Sequence, residues 1–492
     1  MIRPLSTFSL SLTDVANLVG ADFESDQLVT GIANSDSDIE SGDLFLAIPG
    51  AKVHGASFAD AAIQNGAVAI LTDAQGAVMT KNLPTIVVAD VRSAGALVAS
   101  ALYKDPTRDL HSIGITGTNG KTTVTTLLYQ IFQEAGRDSG LIGTVETRIG
   151  AETIPSTRTT PEAADLQSLA ASMRERHMRH LVMEVSSHAI TLNRVKGSHF
   201  SIVGFTNLSQ DHLDFHGDMQ SYFEAKSKLF TFEYADSGYI NIDSEYGKKL
   251  SAKSEIPVVT LSRFDKAGTW HFTEVHAGMA GTQFSIRGSE GILIESKTQL
   301  FGGYNLDNLL MAVAIAHASG VDPIELATII PNLIGAPGRL EPIFIGQDFT
   351  ALVDYAHSPD AVENVLAAAR EFTSGKVIAV LGCGGDRDKG KRPMMGEALL
   401  KGSDIAIFTS DNPRSEEPSE ILKDMTSGLT ITECSKIITD RDEAIQYAVA
   451  QAKAGDTVLI LGKGHESGQE IKKVKTPFDD RLQLARAIEA RR

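Results

Sequence analysis

The sequence predicts an α/β protein of three domains: a small N-terminal α/β domain, a central domain with a mainly parallel sheet, and a second doubly wound domain at the C-terminal end. Three observations predict it. The chain has 492 residues, more than the ~250–300 at which single cores stop growing. Apolar, β-branched runs alternate with helical patterns through two long stretches, as in parallel sheets with helices on both faces. Breaks near Arg108 and Gly338 then divide the chain into 1–108, 109–337 and 338–492.

In the first section, Gly42–Ile48, Ala67–Leu71 and Thr85–Ala89 read as short strands, and Phe58–Asn65 and Val91–Tyr103 as helices. Lys104-Asp-Pro-Thr-Arg108 reads as the exit linker, because Asp-Pro favours a turn. In the second, Ser112–Thr116, Leu181–Val185 and Ile202–Thr206 are strands and Thr122–Ala135 is an amphipathic helix. Short alternating runs with glycine turns between Thr269 and Leu300 suggest a small inserted antiparallel meander. In the third, strands are expected at Thr350–Asp354, Lys376–Leu381, Asp404–Thr409, Ser435–Ile438 and Thr457–Leu461.

Composition narrows the class. Hydrophobic residues make up 42% and charged residues 22% of the chain, ordinary for a soluble globular protein. With 45 basic and 62 acidic side chains the net charge is −17, a poor match to nonspecific nucleic-acid binding. Anionic small substrates remain compatible, because a local basic cluster overrides the net field. The two cysteines, Cys383 and Cys434, form no CxxC pair, which argues against a disulfide framework and fits a reducing cytoplasm. Polar residues interrupt every apolar run of the first eighteen residues, unlike a signal peptide. No stretch approaches the ~20 apolar residues of a membrane span. A soluble, cytoplasmic protein is expected.

Gly114-Ile-Thr-Gly117-Thr-Asn-Gly120-Lys121-Thr122-Thr123 follows a buried strand and opens a helix, the setting a phosphate loop requires. Its backbone N–H groups would cradle phosphates, Lys121 would reach the terminal ones, and the Thr122 hydroxyl would ligate Mg²⁺. The strict phosphate-loop spacing asks for glycine where Ile115 stands. Glu184, in Met183-Glu-Val-Ser-Ser-His188, ends the next strand and is placed to complete a Mg²⁺ shell with Thr122. In Asn207-Leu-Ser-Gln-Asp211-His212-Leu-Asp214-Phe-His216 the histidines are spaced i, i+4 without a zinc pattern. His212, beside the expected metal, is favoured for function and His216 is not.

Gly382-Cys-Gly384-Gly385-Asp-Arg387-Asp-Lys389-Gly-Lys391-Arg392 fails as a dinucleotide fingerprint, because Arg387 stands where the third glycine belongs. Its four basic residues suggest a phosphate or carboxylate site. Asp411-Asn412-Pro413-Arg414 and Gly462-Lys-Gly-His-Glu466 follow the next strand and the last one, so all three loops leave one edge of the sheet. Arginine matches a carboxylate and Glu466 an ammonium, which together fit a zwitterionic amino acid. A regulatory nucleotide-binding ATPase would need only the first loop and would leave these three unexplained.

In this order the strings resemble the Mur ligase family over nearly the whole chain; Tyr304-Asn-Leu-Asp-Asn308, Gly338-Arg-Leu-Glu341 and Asp354-Tyr-Ala-His357 continue the match. The family's own loop reads TGTNGKT, which accounts for Ile115. The resemblance implies a uridine-nucleotide-binding N-terminal domain, a central P-loop ATPase domain and a C-terminal Rossmann-like domain. It also implies that ATP phosphorylates the side-chain carboxylate of D-glutamate in a UDP-muramoyl dipeptide. An amine of 2,6-diaminopimelate then attacks the acyl phosphate, in peptidoglycan precursor synthesis. L-lysine or L-ornithine is the alternative amine, and Arg414 favours diaminopimelate because it can hold the second carboxylate that those two lack.

Residue by residue, the resemblance puts ATP on Gly117, Thr118, Asn119, Gly120, Lys121, Thr122 and Thr123, with Asn305 and Asn308 on the adenine side. Arg339 and Asp354 would contact the nucleotide from across the domain gap. Lys226 would carry a CO₂-derived carbamate and, with His212, help hold a second Mg²⁺ besides the one on Thr122 and Glu184. Lys121, Glu184, His212 and Lys226 are thus the expected catalytic set. Thr159, Thr160, Ser186, Arg194 and, in the first domain, Asp36 would contact the UDP-linked substrate. Arg387, Asp411, Asn412, Pro413, Arg414, Gly462 and Glu466 would line the amino-acid pocket. The chain carries Ser35-Asp36-Ser37 where many relatives have Asp-Ser-Arg, and Leu192 where some have glutamine. No membrane or nucleic-acid partner is expected, and the protein is expected to be a monomer.

Overall fold

The computed structural model describes residues 2–50, 52–80, 83–278 and 281–491, and three main sheets organise it. A four-stranded parallel sheet takes Gly31–Ala33, Asp43–Leu46, Ala69–Thr72 and Thr85–Val87 in sequence order. Helix Val91–Leu102 covers it, and capping by the Asp90 side chain on Ser93 N fixes where that helix starts. The expected exit linker is partly helical: Pro106–Asp109 forms one turn with Pro106 at its first position, where proline's missing N–H costs nothing.

The central sheet has eleven strands, ordered 152–155, 146–149, 139–142, 180–184, 111–116, 200–205, 235–241, 258–262, 270–278, 281–287 and 293–298. Strands from Ser139–Ile142 to Trp270–Gly278 run parallel, and both ends of the sheet finish in antiparallel pairs. The meander expected between Thr269 and Leu300 is therefore an extension of the sheet rather than an insertion beside it. Helices Lys121–Glu134 and Gly303–Ala318 pack on one face through Leu127, Ile131, Leu309 and Val313. A second cluster around Leu166, Met173, Phe205 and Phe230 fills the other. The phosphate-loop strand His111–Thr116 lies between His180–Glu184 and Phe200–Phe205. That order sets Glu184 and Asn207 on either side of the loop.

The third sheet has six strands, ordered 341–342, 350–354, 457–461, 377–383, 405–410 and 435–437, all parallel except the first. Its layers pack around Leu352, Leu381 and Phe408 on one face and Val353, Ile407 and Ile460 on the other. Arg441 is fully buried against Asp480 at 2.6 Å and also donates to Ser410 O and Leu461 O. One guanidinium thereby ties together the strand ends that emit the Asp411 and Gly462 loops. Among the described residues no helix is long and apolar enough to cross a membrane. Both cysteines are free thiols, Cys383 buried and Cys434 exposed.

Gly338 joins the central and C-terminal units at φ +66°, and a Cβ there would lie 2.2 Å from His465 N. Left-handed strain and a backbone clash coincide. Gly338→Ala is expected to cost about 2–4 kcal/mol and to lower the urea midpoint; an unchanged midpoint would show that the junction relaxes freely.

Candidate active site

The phosphate loop is shaped by what its glycines touch. Gly117 sits at φ +147° and Gly120 at φ +87°, where side chains are disfavoured. Added Cβ atoms would lie 1.9 Å from Thr206 Oγ1 and 2.3 Å from Asn308 Oδ1 respectively. Ile115, the departure from the strict spacing, is fully buried in the strand and takes no part in the loop. The loop is pinned from the neighbouring strand: Asn207 O accepts from Thr118 N at 2.9 Å, and Asn207 Oδ1 accepts from Asn119 N at 3.0 Å. The Lys121 ammonium folds back onto Gly117 O and Thr118 O at 2.9 and 2.8 Å. Burial, partly offset by Glu184, lowers its pKa.

Glu184 is fully buried at the end of its strand. Its carboxylate accepts from Thr122 Oγ1 at 3.0 Å, Thr144 N at 2.7 Å and Thr144 Oγ1 at 3.0 Å. Thr122 and Glu184, paired in the sequence reading, are in direct contact; Thr144 was missed there, since nothing marks a lone threonine in a turn. Thr144 Oγ1, its proton on Glu184, is left to accept from Thr159 Oγ1 at 3.0 Å, and Thr160 Oγ1 donates to Glu184 O at 2.9 Å. Ser186 N donates to Thr160 Oγ1 at 3.1 Å, and Arg194 reaches Thr160 O at 3.4 Å. Thr159, Thr160, Ser186 and Arg194 thus form one surface beside the loop. Asp36 lies on the four-stranded-sheet unit, in the short 3₁₀ turn Asp36–Asp38.

Lys226, in helix Met219–Ser227, is buried. Its ammonium donates to Gly117 O at 2.8 Å and sits 4.7 Å from the centre of the Tyr222 ring. It has no ion pair among the described residues. Burial first, and then the Lys121 charge, hold it well below the ordinary lysine range. His212 occupies a left-handed position, φ +53°, uncommon for a residue with a side chain. Its ring meets His188 edge-on at 4.7 Å. Desolvation lowers its pKa against the pull of Asp211, with His188, Lys121 and Lys226 adding to the lowering. His216 joins the same aromatic cluster, bonded to Ser187 Oγ at 2.9 Å and packed on Tyr222 at 4.9 Å. Among the described residues no group of three or more His, Cys, Asp or Glu is arranged as a metal cage.

A cavity of about 430 Å³ opens from the loop to the C-terminal unit, lined by Gly120, Thr122, Asn308, Arg339 and Asp354 among others. Asn308 Nδ2 donates to Asn305 Oδ1 at 3.2 Å. Asp354 is buried, accepting from Leu340 N at 2.7 Å and Ala356 N at 2.8 Å. Burial raises its pKa although Arg339 opposes. The Arg339 guanidinium lies over Tyr355 at 4.8 Å. Arg263 and Asp307 also line the cavity, with Arg263 Nε 2.9 Å from Asp307 Oδ1, and no local sequence pattern marks that pair.

The three C-terminal loops converge. Gly385 N donates to Asn412 O at 2.9 Å, Arg414 Nη1 to Gly385 O at 2.6 Å, and Asn412 Nδ2 to Glu466 Oε2 at 2.7 Å. A Cβ on Gly462 would lie 2.8 Å from Asp411 Oδ2. Lys463, fully buried, bonds Asn412 Oδ1 and Glu466 Oε2, both at 3.1 Å. Burial works against ionisation of Glu466, but Lys463 and Asn412 hold its carboxyl below the usual range. Pro413 connects this network to Arg414, which sits at φ +52°.

The four-residue basic cluster does not survive as one site. Arg392 is buried and paired with Glu416 and Asp424 at 2.7 and 2.8 Å. Lys389 pairs with Glu416 at 3.2 Å, and Lys391 reaches Asp211 of the central unit at 3.7 Å. Clustering in sequence had suggested one anion site; tertiary pairing assigns three of the four charges to acidic partners. Arg387 alone stays exposed and without an ion pair among the described residues.

Three family descriptions match in chain order: Mur ligase family, catalytic domain, at residues 29–103; Mur ligase middle domain at 115–316; and Mur ligase, glutamate ligase domain, at 338–464. The chain is 46% identical, over 99% of its length and 98% of the relative's, to the UDP-N-acetylmuramoyl-L-alanyl-D-glutamate–2,6-diaminopimelate ligase of Streptomyces coelicolor. The chain belongs to the Mur ligase family. It is an ATP-dependent ligase with the three-domain Mur ligase architecture. The same-named ligase of Geobacillus thermodenitrificans is 42% identical over 92% of this chain and 94% of its own. A solved structure of a ligase with that name superposes with a TM-score of 0.71 at 32% identity, covering 98% and 99% of the two chains.

Proposed function

We propose that this Mur ligase adds 2,6-diaminopimelate to the D-glutamate side-chain carboxylate of UDP-N-acetylmuramoyl-L-alanyl-D-glutamate. Residues 1–108, 109–337 and 338–492 would serve nucleotide-linked substrate, ATP and amino acid respectively. The observation that carries the reading is the mixed-charge wall made by the three C-terminal loops. Arg414 and Arg387 flank Gly384, where an added Cβ would lie 3.0 Å from Arg414 Nη1 and 3.7 Å from Arg387 Cγ. Glu466 and buried Asp411 belong to the same group of loops, through Asn412 and Gly462. A ligand with two carboxylates and two ammonium groups complements such a wall, and the names of the full-length relatives agree.

A carboxylate resists attack by an amine until one oxygen becomes a phosphate leaving group. The loop N–H groups and Lys121 would orient the ATP phosphates and offset the charge on the transferring phosphoryl group. Thr159, Thr160, Ser186 and Arg194 would hold the accepting carboxylate in line, and Asp36 would contact the uridine end. With the far end of the amino acid held between Arg414 and Glu466, its other amino group, free of its extra proton, attacks the acyl carbon. The C–N bond forms, the C–O bond to phosphate breaks, and the departing phosphate takes up the proton the nitrogen loses.

The residues present fit Mg²⁺: Thr122 and Glu184 offer hard oxygen donors at the loop, and nucleotide oxygens would complete the shell. His212 and a carbamate on Lys226 would hold a second ion. Bound Mg²⁺ would neutralise phosphate charge during transfer. What supports the carbamate is the buried Lys226 beside Lys121 without a carboxylate partner, a setting that an anionic side chain would relieve. A monomer working in the cytoplasm agrees with this reading.

The test is phosphate release from ATP with the UDP-muramoyl dipeptide plus diaminopimelate, lysine or ornithine. Diaminopimelate is expected to support turnover at least about 10²-fold better in kcat/KM. A preference for lysine or ornithine would overturn the assignment of the amine.

A further inference from the structure

Glu162 is 7% exposed and holds three arginines from three separate segments. Arg92 Nη1 reaches it from helix Val91–Leu102 of the N-terminal unit, Arg158 Nη1 at 2.7 Å and Arg194 Nε at 3.0 Å. One carboxylate faces three guanidiniums, leaving an excess of positive charge in a chain whose net charge is −17. A salt bridge that only docked the two domains would need one of the three. Arg158 stays 50% exposed although paired, so most of its five N–H donors remain free for another acceptor. Arg194 is the more buried, at 14%, and desolvation, helped by Arg158 and Arg92, lowers the pKa of its guanidinium despite Glu162. The cluster adjoins the reaction centre through Arg194 to Thr160 O and Thr160 Oγ1 to Glu184 O.

We infer that Arg158 is a further substrate-binding residue, which with Arg194 receives an anionic group of the nucleotide-linked substrate, and that Glu162 positions both. The inference rests on the ligase reading above. Its physical basis is that Glu162 fixes the forks before substrate arrives, reducing the ordering cost of binding. Arg92, tied to the same carboxylate, sets the N-terminal domain against the central one at the point where such a substrate would span both. A carboxylate and a diphosphate present the same chemistry to a guanidinium, and the substrate carries both.

Direct binding of the UDP-muramoyl dipeptide to the full chain, by calorimetry, tests this. Arg158→Ala is expected to weaken binding about 10–10²-fold, with the KM for ATP unchanged and with Arg158→Lys intermediate. Repeating the measurement with the dipeptide's α-carboxylate amidated separates the sources. A loss that disappears with the amide identifies the α-carboxylate; a loss that persists identifies the side-chain carboxylate or the diphosphate of the same substrate. Glu162→Gln is expected to raise the KM for the dipeptide more than it lowers kcat; a fall in thermal midpoint with an unchanged KM would mark Glu162 as a domain brace and overturn its positioning role. Unaltered binding by Arg158→Ala, with the wild type binding normally, would overturn the inference. Failure of the wild type to bind would instead overturn the ligase reading.

Discussion

Replacing Lys226 with alanine is expected to lower turnover by about 10²–10³-fold with a much smaller effect on the binding of ATP. The lysine lies within the helix Met219–Ser227, its ammonium bonded to Gly117 O at 2.8 Å. As an ammonium it adds a second buried positive charge beside Lys121, which repels it. As a carbamate it would turn that repulsion into attraction and supply an oxygen donor close to His212. The two forms make opposite predictions for rescue. If the carbamate is the working form, acetate or formate should restore part of the activity of Lys226→Ala, and Lys226→Glu should retain more than Lys226→Met. Removal of CO₂ and bicarbonate should also slow the wild type. Full activity in Lys226→Ala would exclude the carbamate role, and rescue by alkylamines alone would assign the function to the ammonium.

The sequence carried the strand–loop–helix context of the phosphate loop, the strand-end position of Glu184 and the common edge of the three C-terminal loops. Each depends on short-range order: a buried run, a glycine turn, a helix start. What it did not carry depends on chain segments far apart. Glu162 meets Arg92 across 70 positions, Glu184 meets Thr144 across 40, and Lys391 meets Asp211 from another domain. Nothing local distinguishes these residues from solvated ones. The basic run at 387–392 was misleading for the same reason, since Glu416 and Asp424 neutralise Arg392 from 24 and 32 positions away. Strand-to-strand register decides such pairs, and hydrophobic periodicity reports only which face of an element is buried.

The choice of amino acid should respond most strongly to Arg414. Its backbone sits at φ +52°, a conformation that costs a residue with a Cβ about 1–2 kcal/mol, and Arg414 N donates to Glu470 O at 2.9 Å. The hairpin Gly468–Ile471 and Val474–Pro477 therefore holds the residue in place, while Nη1 donates to Gly385 O at 2.6 Å. That leaves the rest of the fork for a ligand carboxylate. Arg414→Ala is expected to reduce kcat/KM for diaminopimelate about 10²-fold, the loss of a charge-assisted bidentate contact. The same change should leave kcat/KM for lysine within about threefold, because lysine has no second carboxylate to lose. The preference for diaminopimelate then collapses while the KM for ATP stays near the wild-type value. Arg414→Lys should recover charge without the fork and regain only part of the discrimination. An equal loss with both amino acids would mean that Arg414 supports the loops rather than reads the substrate. The discrimination would then have to come from Arg387, the exposed arginine that also borders Gly384.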